Sequence, residues 1–442
     1  LKAITLFFDR LVQRFLPDAF LFAIILTVFV YLFGLLFTDH GPIEMIAFWG
    51  NGFWDLLAFG MQMSLVVVTG YIFANTPIVK RLLEKTSRLA KNPAQAVILV
   101  TFVALIACLI NYGFGLVVGA LFSIHVAKKV PAVDFRVLIA SAYSGMLVWH
   151  GGLSGSVPLT IATPGHFLED LMGQIPVTET LFSSANLFIV ITMLITLPLF
   201  NRYLLKNAEG SKLSEASKLV IPKEENDTAH EFFNPKTPAE KLENSQIVSL
   251  TIGILGLGFI IYHFVTNGFD LNINIVNFAF LFLGIILHRT PKRFLDTVGN
   301  GVKNAGGIII QFPFYAGIMG IMVESGLSEQ ISLWFISFAT EYTLPVISFI
   351  SAGFVNIFVP SGGGQWAVQG PIMIQAAMEL GADLSKTAMA VAWGDAWTNM
   401  IQPFWALPVL AIAGLKIRDI MGFCVMILFF SFIPITIGFL LF

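Results

Sequence analysis

The amino-acid sequence predicts an all-α polytopic membrane protein built from two inverted repeats, with about nine spans, two re-entrant hairpins and broken helices. Three observations carry this expectation. Charged residues are only 12% and hydrophobic residues 56% of the 442 positions, whereas a soluble domain carries about 25% charged residues. Such a chain cannot cover itself with polar surface and calls for a bilayer as its solvent. Apolar runs near the length that crosses ~30 Å of hydrocarbon recur along it. Short polar and glycine-rich motifs also recur in its two halves in the same order, as a duplication would leave them.

The elements follow from the amino end. Lys2, Arg10 and Arg14 precede the run Ala19 to Phe37, which is too long for a signal peptide and has no small-residue cleavage site, so it reads as the first span. Further plain spans are expected at Leu56 to Ala74, Phe182 to Phe200, Ile247 to Val265, Ile275 to Leu287, Ala305 to Val323 and Ile420 to Leu441. Four apolar regions are interrupted by polar or helix-breaking residues: Ala94 to Val126, Val137 to Ala162, Leu344 to Ala377 and Ala388 to Ala413. The segment Asn201 to Gln246 is rich in Lys, Glu, Asn, Ser and Pro and keeps no apolar period. The expected organisation is a first membrane repeat at 1–200, a cytoplasmic polar linker at 201–246, and an extra span plus a second, inverted repeat at 247–442.

The duplication rests on spacing. Gly50-Asn51-Gly52 with Gln62 recurs as Gly299-Asn300-Gly301 with Gln311, an offset of 249 in each case. Asn111 before glycines matches Asn356 before Gly362-Gly363-Gly364. Basic residues concentrate on cytoplasmic loops, and this decides the sense of the repeats. With the chain started inside and the regions from Ala94 and from Leu344 folded as hairpins, 24 of the 25 Lys and Arg fall inside, with only Lys386 outside. Ile78 to Lys91 carries five bases and Glu324 to Glu341 only acids, so the two corresponding amphipathic segments lie on opposite surfaces. The N-terminus is then cytoplasmic and the C-terminus outside. Inverted repeats with broken helices are the architecture of secondary transporters, where non-helical backbone at membrane depth lines a cavity.

The interruptions are the candidate binding elements. Asn111, Gly113 and Gly115 in the first hairpin, and Asn356, Ser361, Gly362, Gly363, Gly364 and Gln365 in the second, are expected to form turns at depth whose amides and Asn side chains face a carboxylate or a small cation. The same residues could serve only as hairpin turns capped by Asn. Ser154, Gly155 and Ser156, after Trp149-His150-Gly151-Gly152 and before Thr163-Pro164, mark one broken helix, and Asn399 and Gln402 before Pro403 mark the other. Half-helix N-termini at such breaks favour an anion. No Lys or Arg is expected at membrane depth, so neutral donors must hold a carboxylate, which suits a small monocarboxylate. Asp395 is the acid expected within a span, where acids are functional by default. It is the candidate acceptor of a coupling proton or of Na+, with hydrogen-bonded helix packing as the alternative. Gln62 and Gln311 are read as interhelical hydrogen bonds, and His150 as either a proton relay or a structural hydrogen bond.

The runs from Gly50 to Trp54 and Phe59 to Met63, Asn111 to Gly119, Gln311 to Gly317, Val359 to Gly364 and Gln402 to Pro408 closely resemble the bacterial short-chain fatty acid transporter family over nearly the whole chain. The resemblance implies uptake of acetoacetate, butyrate or similar acids across the bacterial inner membrane, and membership of the wider ion-transporter superfamily of elevator-like carriers. It names no site residues. The expected partners are the substrate and the lipid bilayer, with a homodimer compatible. A net charge of -2 offers no basic stripe for nucleic acid. Cys108 and Cys424 lie in apolar runs and read as small hydrophobes, and no metal or cofactor is expected beyond the coupling H+ or Na+. Two rivals differ in class: a channel or facilitator for small carboxylates, and an intramembrane serine protease suggested by Gly152-Leu153-Ser154-Gly155. The protease would need a histidine base near Ser154, and no histidine is expected mid-span on a separate helix.

Overall fold

The computed structural model describes residues 19–206, 237–357 and 359–442. The expectations for Lys2, Arg10, Arg14 and linker positions 207–236 lie outside them. Among the described residues the regular structure is helical, without strands.

The first half runs α1 (Ala19–Phe37), α2 (Pro42–Gly52), α3 (Leu57–Ala74), α4 (Pro77–Ser87), α5 (Pro93–Ile110) and α6 (Tyr112–Lys129). It continues with α7 (Phe135–Tyr143), a 3-10 stretch Ser144–Gly151, α8 (Ser156–Ile161), α9 (Glu169–Met172) and α10 (Ser184–Lys206). A short α11 (Pro238–Glu243) and the span α12 (Gln246–Asn267) follow. The second half then repeats the order: α13 (Ile273–His288), α14 (Pro291–Lys303), α15 (Gly306–Glu324), α16 (Leu327–Ile336), α17 (Leu344–Val355), α18 (Gly362–Leu380), α19 (Leu384–Thr398), α20 (Pro403–Ala413) and α21 (Ile417–Leu441).

Local chemistry explains the boundaries. Thr76 and Asn92 cap α4 and α5, accepting from the amides of Val79 and Gln95 at 3.4 and 3.0 Å, and Pro follows each cap at the first helical position, where its missing N–H costs nothing. Asp134 and Asp383 cap α7 and α19 in the same way. Helix α4 buries Val79, Leu83 and Ser87, four residues apart, and leaves Lys80, Arg81 and Lys85 exposed. That is an amphipathic surface helix rather than a span.

The depth of the hairpins can be read from their neighbours. Asn111, the single residue between α5 and α6, donates through Nδ2 to the carbonyl of Val66 at 3.2 Å, and Val66 lies midway along α3. At the second tip, a methyl carbon at Gly364 would stand 2.7 Å from a ring carbon of Tyr315, which is midway along α15. Both tips therefore stop at half depth, and each hairpin returns to the face it entered. Among the described residues seven helices are long and apolar enough to cross a membrane. One of them, α5, is a hairpin limb. With α13 and the two interrupted helices α7–α8 and α19–α20, nine crossings result among the described residues, and α3 and α15 run in opposite senses as inverted repeats require.

Three expectations are corrected. Gly113, Gly115 and Gly362 to Gly364 were expected in turns, but they sit in the first turns of α6 and α18 without positive φ. Their small size, not their conformational freedom, is what the fold uses: a methyl carbon at Gly115 would stand 2.7 Å from Cys108 Cα. Gln62 makes the expected interhelical bond, to Asn274 at 2.8 Å, whereas Gln311 accepts from Tyr315 within its own helix at 3.4 Å. Thr163 and Pro164 lie beyond the end of α8 rather than in the break, where the Thr163 hydroxyl accepts from the Ile273 amide at 3.2 Å.

Candidate functional site

At the first tip the Asn111 side chain is fully committed. Its Oδ1 caps α6 by accepting from the Phe114 amide at 2.9 Å while Nδ2 binds Val66. Ser154 lies in the first helix break, and its hydroxyl accepts from the Tyr112 amide at 2.9 Å, while the Leu153 amide donates to the Leu109 carbonyl at 2.7 Å. The break thus grips the first tip. Asn111 and Ser154 read as structural caps. The Gly113 amide has no hydrogen-bond acceptor among the described residues.

The second tip faces the other side of the same break. A methyl carbon at Gly362 would stand 2.7 Å from both His150 Cε1 and Ser156 Oγ. Ser361 caps α18 by accepting from the Gly364 amide at 3.3 Å, which leaves the Gly362 and Gly363 amides without acceptors among the described residues. Ser156, the first residue of α8, is buried, and its hydroxyl has no partner among the described residues. The starts of α8 and α18 therefore meet, with the Ser156 hydroxyl close to Gly362, and helix starts of this kind favour an anion. Among the described residues no Lys or Arg is buried, so no fixed cation competes with those donors. Gly155, which precedes α8, lies directly over the His150 carbonyl.

Asp395 occupies the centre. It is 1% and His150 0% exposed, and Oδ2 of Asp395 lies 3.2 Å from His150 Nε2 and accepts from Asn399 Nδ2 at 3.2 Å. Asn356 Nδ2 donates to the Asp395 carbonyl at 3.0 Å and to Thr398 Oγ1 and Asn399 Oδ1 at 2.9 Å. Gln402 Nε2 donates to the Asn356 and Ile357 carbonyls at 3.4 and 3.3 Å, and Gln365 Nε2 to the Ala352 carbonyl at 2.8 Å. Four buried polar atoms of this cluster lack a partner among the described residues: Asp395 Oδ1, Asn356 Oδ1, Gln365 Oε1 and His150 Nδ1. A buried polar atom without a partner costs about 1–3 kcal/mol, so the cluster is suited to groups that arrive from outside it.

The structure therefore gathers Ser156, Gly362, Gly363, Asn356, Asn399, Gln402, Gln365 and Asp395 around the second tip, and places Asn111, Gly113, Gly115 and Ser154 around the first. Gly364 packs on Tyr315 and Ser361 acts as a cap. Sequence reasoning left His150 open and missed Tyr143, whose hydroxyl donates to the carbonyls of Asn399 and Gln402 and so supports the second break. It also missed Asn186, which donates to the Gly151 carbonyl at 3.1 Å and accepts from Trp393 at 2.9 Å. Buried Asn and Tyr at interruption-facing positions were the available signal.

Comparisons with known proteins bear on the family and the fold. The profile of the short chain fatty acid transporter family matches residues 1–442. A protein of Escherichia coli (strain K12) named for short-chain fatty acid transport is 47% identical over 99% of both chains. One of Haemophilus influenzae (strain ATCC 51907 / DSM 11121 / KW20 / Rd), named in the same way, is 45% identical over 98% of this chain and 97% of its own. The crystal structure of the Alcanivorax borkumensis YdaH transporter, described as having an unusual topology, matches with a TM-score of 0.59 at 16% identity, over 95% of this chain and 98% of that one. It shares the fold. The protease reading falls with these relatives, and the Ser154 hydroxyl is in any case bound to the Tyr112 amide. The chain is a multi-pass membrane transporter and belongs to the short-chain fatty acid transporter family.

Proposed function

We propose that the chain is a secondary carrier that takes up butyrate, acetoacetate or similar monocarboxylates across the bacterial inner membrane, with its N-terminus in the cytoplasm. The observation that carries this reading is the buried cluster in which the starts of α8 and α18 meet beside the Asp395–His150 pair, with the Ser156 hydroxyl and the Gly362 and Gly363 amides unpaired among the described residues. The substrate carboxylate would take the amides of Gly362 and Gly363 and the Ser156 hydroxyl. An anion buried without Lys or Arg costs several kcal/mol that neutral donors offset only in part, so a cation travels with it. Asp395 and His150 can hold one proton between Oδ2 and Nε2. Sodium is the second reading, favoured by the unpartnered oxygens Asp395 Oδ1 and Asn356 Oδ1, which are hard ligands of the kind that such an ion takes.

The movement would be elevator-like. The hairpins and broken helices pack together, and they meet α3 and α15 in part through glycines, as where Gly363 lies against Phe59 and Phe312 and Gly113 against Val67, with the Asn111–Val66 hydrogen bond as a polar contact. Such a surface offers few polar bonds to break on sliding. A homodimer would use α12, the added span, whose hydrophobic residues are mostly exposed; cross-linking between cysteines placed on that face tests it. The carrier reading is tested in proteoliposomes with butyrate, acetoacetate and a dicarboxylate under separately imposed proton and sodium gradients. Accumulation of the two monocarboxylates driven by one gradient supports it, and gradient-independent equilibration supports the channel instead.

A further inference from the structure

A cavity of about 580 Å³ lies apart from the Asp395 cluster. It runs from Tyr112 and Gly113 at the first tip to Asn75 and Lys303 at the ends of α3 and α14, the face that also carries the basic helix α4. Its deep end is aromatic. Tyr112 contacts Trp405 and Trp149 with ring centroids 5.8 and 4.7 Å apart, and this layer separates the cavity from His150. Leu116, Val117 and Leu407 continue the wall toward the mouth. There Lys303 stands exposed beside Asn304, its ammonium 3.3 Å from Asn300 Oδ1.

Size argues against a four-carbon acid as the fitted occupant. If each heavy atom takes roughly the ~30 Å³ of a liquid water, butyrate with its six heavy atoms fills about 180 Å³ and an eight-carbon acid about 300 Å³. The short acid would leave most of the apolar wall wet. A longer tail covers it while its carboxylate reaches Lys303. The distribution of polarity, one cation at the mouth and rings at the floor, is that of a site for a single-headed amphiphile.

We propose that this cavity is a second site, distinct from the carrier's buried one, which binds medium-chain carboxylates with the head at Lys303 and the tail on Tyr112 and Trp405. Longer acids should bind more tightly by about fourfold per methylene, from ~0.8 kcal/mol for each CH2 buried, until the floor is reached. The test is equilibrium quenching of tryptophan fluorescence by 8-bromooctanoate in the purified full-length protein in detergent, followed by a chain-length series of unbrominated acids as competitors. Expected are saturable quenching, its reduction in Trp405→Phe, and an apparent affinity at least fivefold weaker in Lys303→Gln, a substitution on the exposed surface that leaves the fold intact. Quenching that never saturates, or is the same in both variants, would show only partition into detergent and overturn the proposal. Binding is read without transport, so failure here leaves the carrier reading to its own assay.

Discussion

Replacing Gly362 by Ala adds one methyl group where the second tip meets the first broken helix. The added carbon would stand 2.7 Å from both His150 Cε1 and Ser156 Oγ, and closer still to Nε2. Carbon and nitrogen do not approach to such distances without a shift. The obstacle is a fully buried imidazole, bonded to Asp395 at 3.2 Å and packed against Trp149 with ring centroids 3.7 Å apart, so it cannot swing into solvent. Overpacking of this kind costs about 1–3 kcal/mol. If the strain is relieved by parting His150 from Asp395 or by lifting the tip, that energy falls on the transport-competent arrangement, and exchange should slow by a factor of about 5 to 150. The assay is butyrate exchange in proteoliposomes, with Gly299→Ala on α14 as the control because no atom would come within 4 Å of the added carbon there. Size-exclusion behaviour should match the parent for both variants. Parental exchange by Gly362→Ala would refute the placement of the second tip on the His150–Asp395 pair.

Asp395→Asn should abolish gradient-driven accumulation while permitting exchange, and unchanged accumulation under both ion gradients would leave Asp395 as a packing element. Asn356→Leu should abolish uptake in a folded protein, whereas Asn111→Leu should also lower thermal stability by about 1–2 kcal/mol, since Asn111 caps α6; parental uptake in Asn356→Leu contradicts the first expectation, and an unshifted melting temperature in Asn111→Leu the second. Outside the spans, burial pushes the His166 imidazole below its ordinary value, with Nε2 donating to the Gly173 carbonyl at 3.0 Å and Nδ1 accepting from the Leu168 amide at 3.3 Å. A depressed histidine stabilises its loop fully above the unfolded value of about 6.5 and loses that contribution as pH falls through the folded one, so hydrogen exchange of the Leu168 amide should gain protection between pH 5.5 and 7.5, on the order of a few-fold, beyond the intrinsic pH effect, and no gain would contradict the sign. Reagents confined to the outside should label cysteines at 325–342 but not in the 201–246 linker or at 80–91; labelling of the linker would invert the topology.

The spans were legible because bilayer thickness imposes a length on apolar runs, and α1 and α3 fall within a residue of their expected bounds. Repeated spacing around Asn111 and Asn356 located both tips, and the breaks at 152–155 and 399–402 were marked by Gly, Ser, Asn and Pro. Contacts between distant segments were not legible. His150 and Asp395 are 245 residues apart, and nothing in the local pattern of either names the other. Glycines were misread for a physical reason: their use for close approach looks, in sequence, the same as their use in turns, and only the rings of Tyr315 and Phe59 against α18 separate the two. Equivalence between repeats also predicts position better than partner, since Gln62 faces Asn274 across a helix pair while Gln311 faces Tyr315 on its own helix.

In the proposed carrier one buried site alternates between the two faces while holding a monocarboxylate without Lys or Arg. Counterflow tests it most directly: proteoliposomes loaded with unlabelled butyrate are diluted into a trace of labelled butyrate with no ion gradient. Label should accumulate transiently above equilibrium, an effect reproduced by internal acetoacetate, absent with an internal dicarboxylate, and slowed in Gly362→Ala. Monotonic equilibration of label, indifferent to what is loaded inside, would contradict it and identify an open pathway.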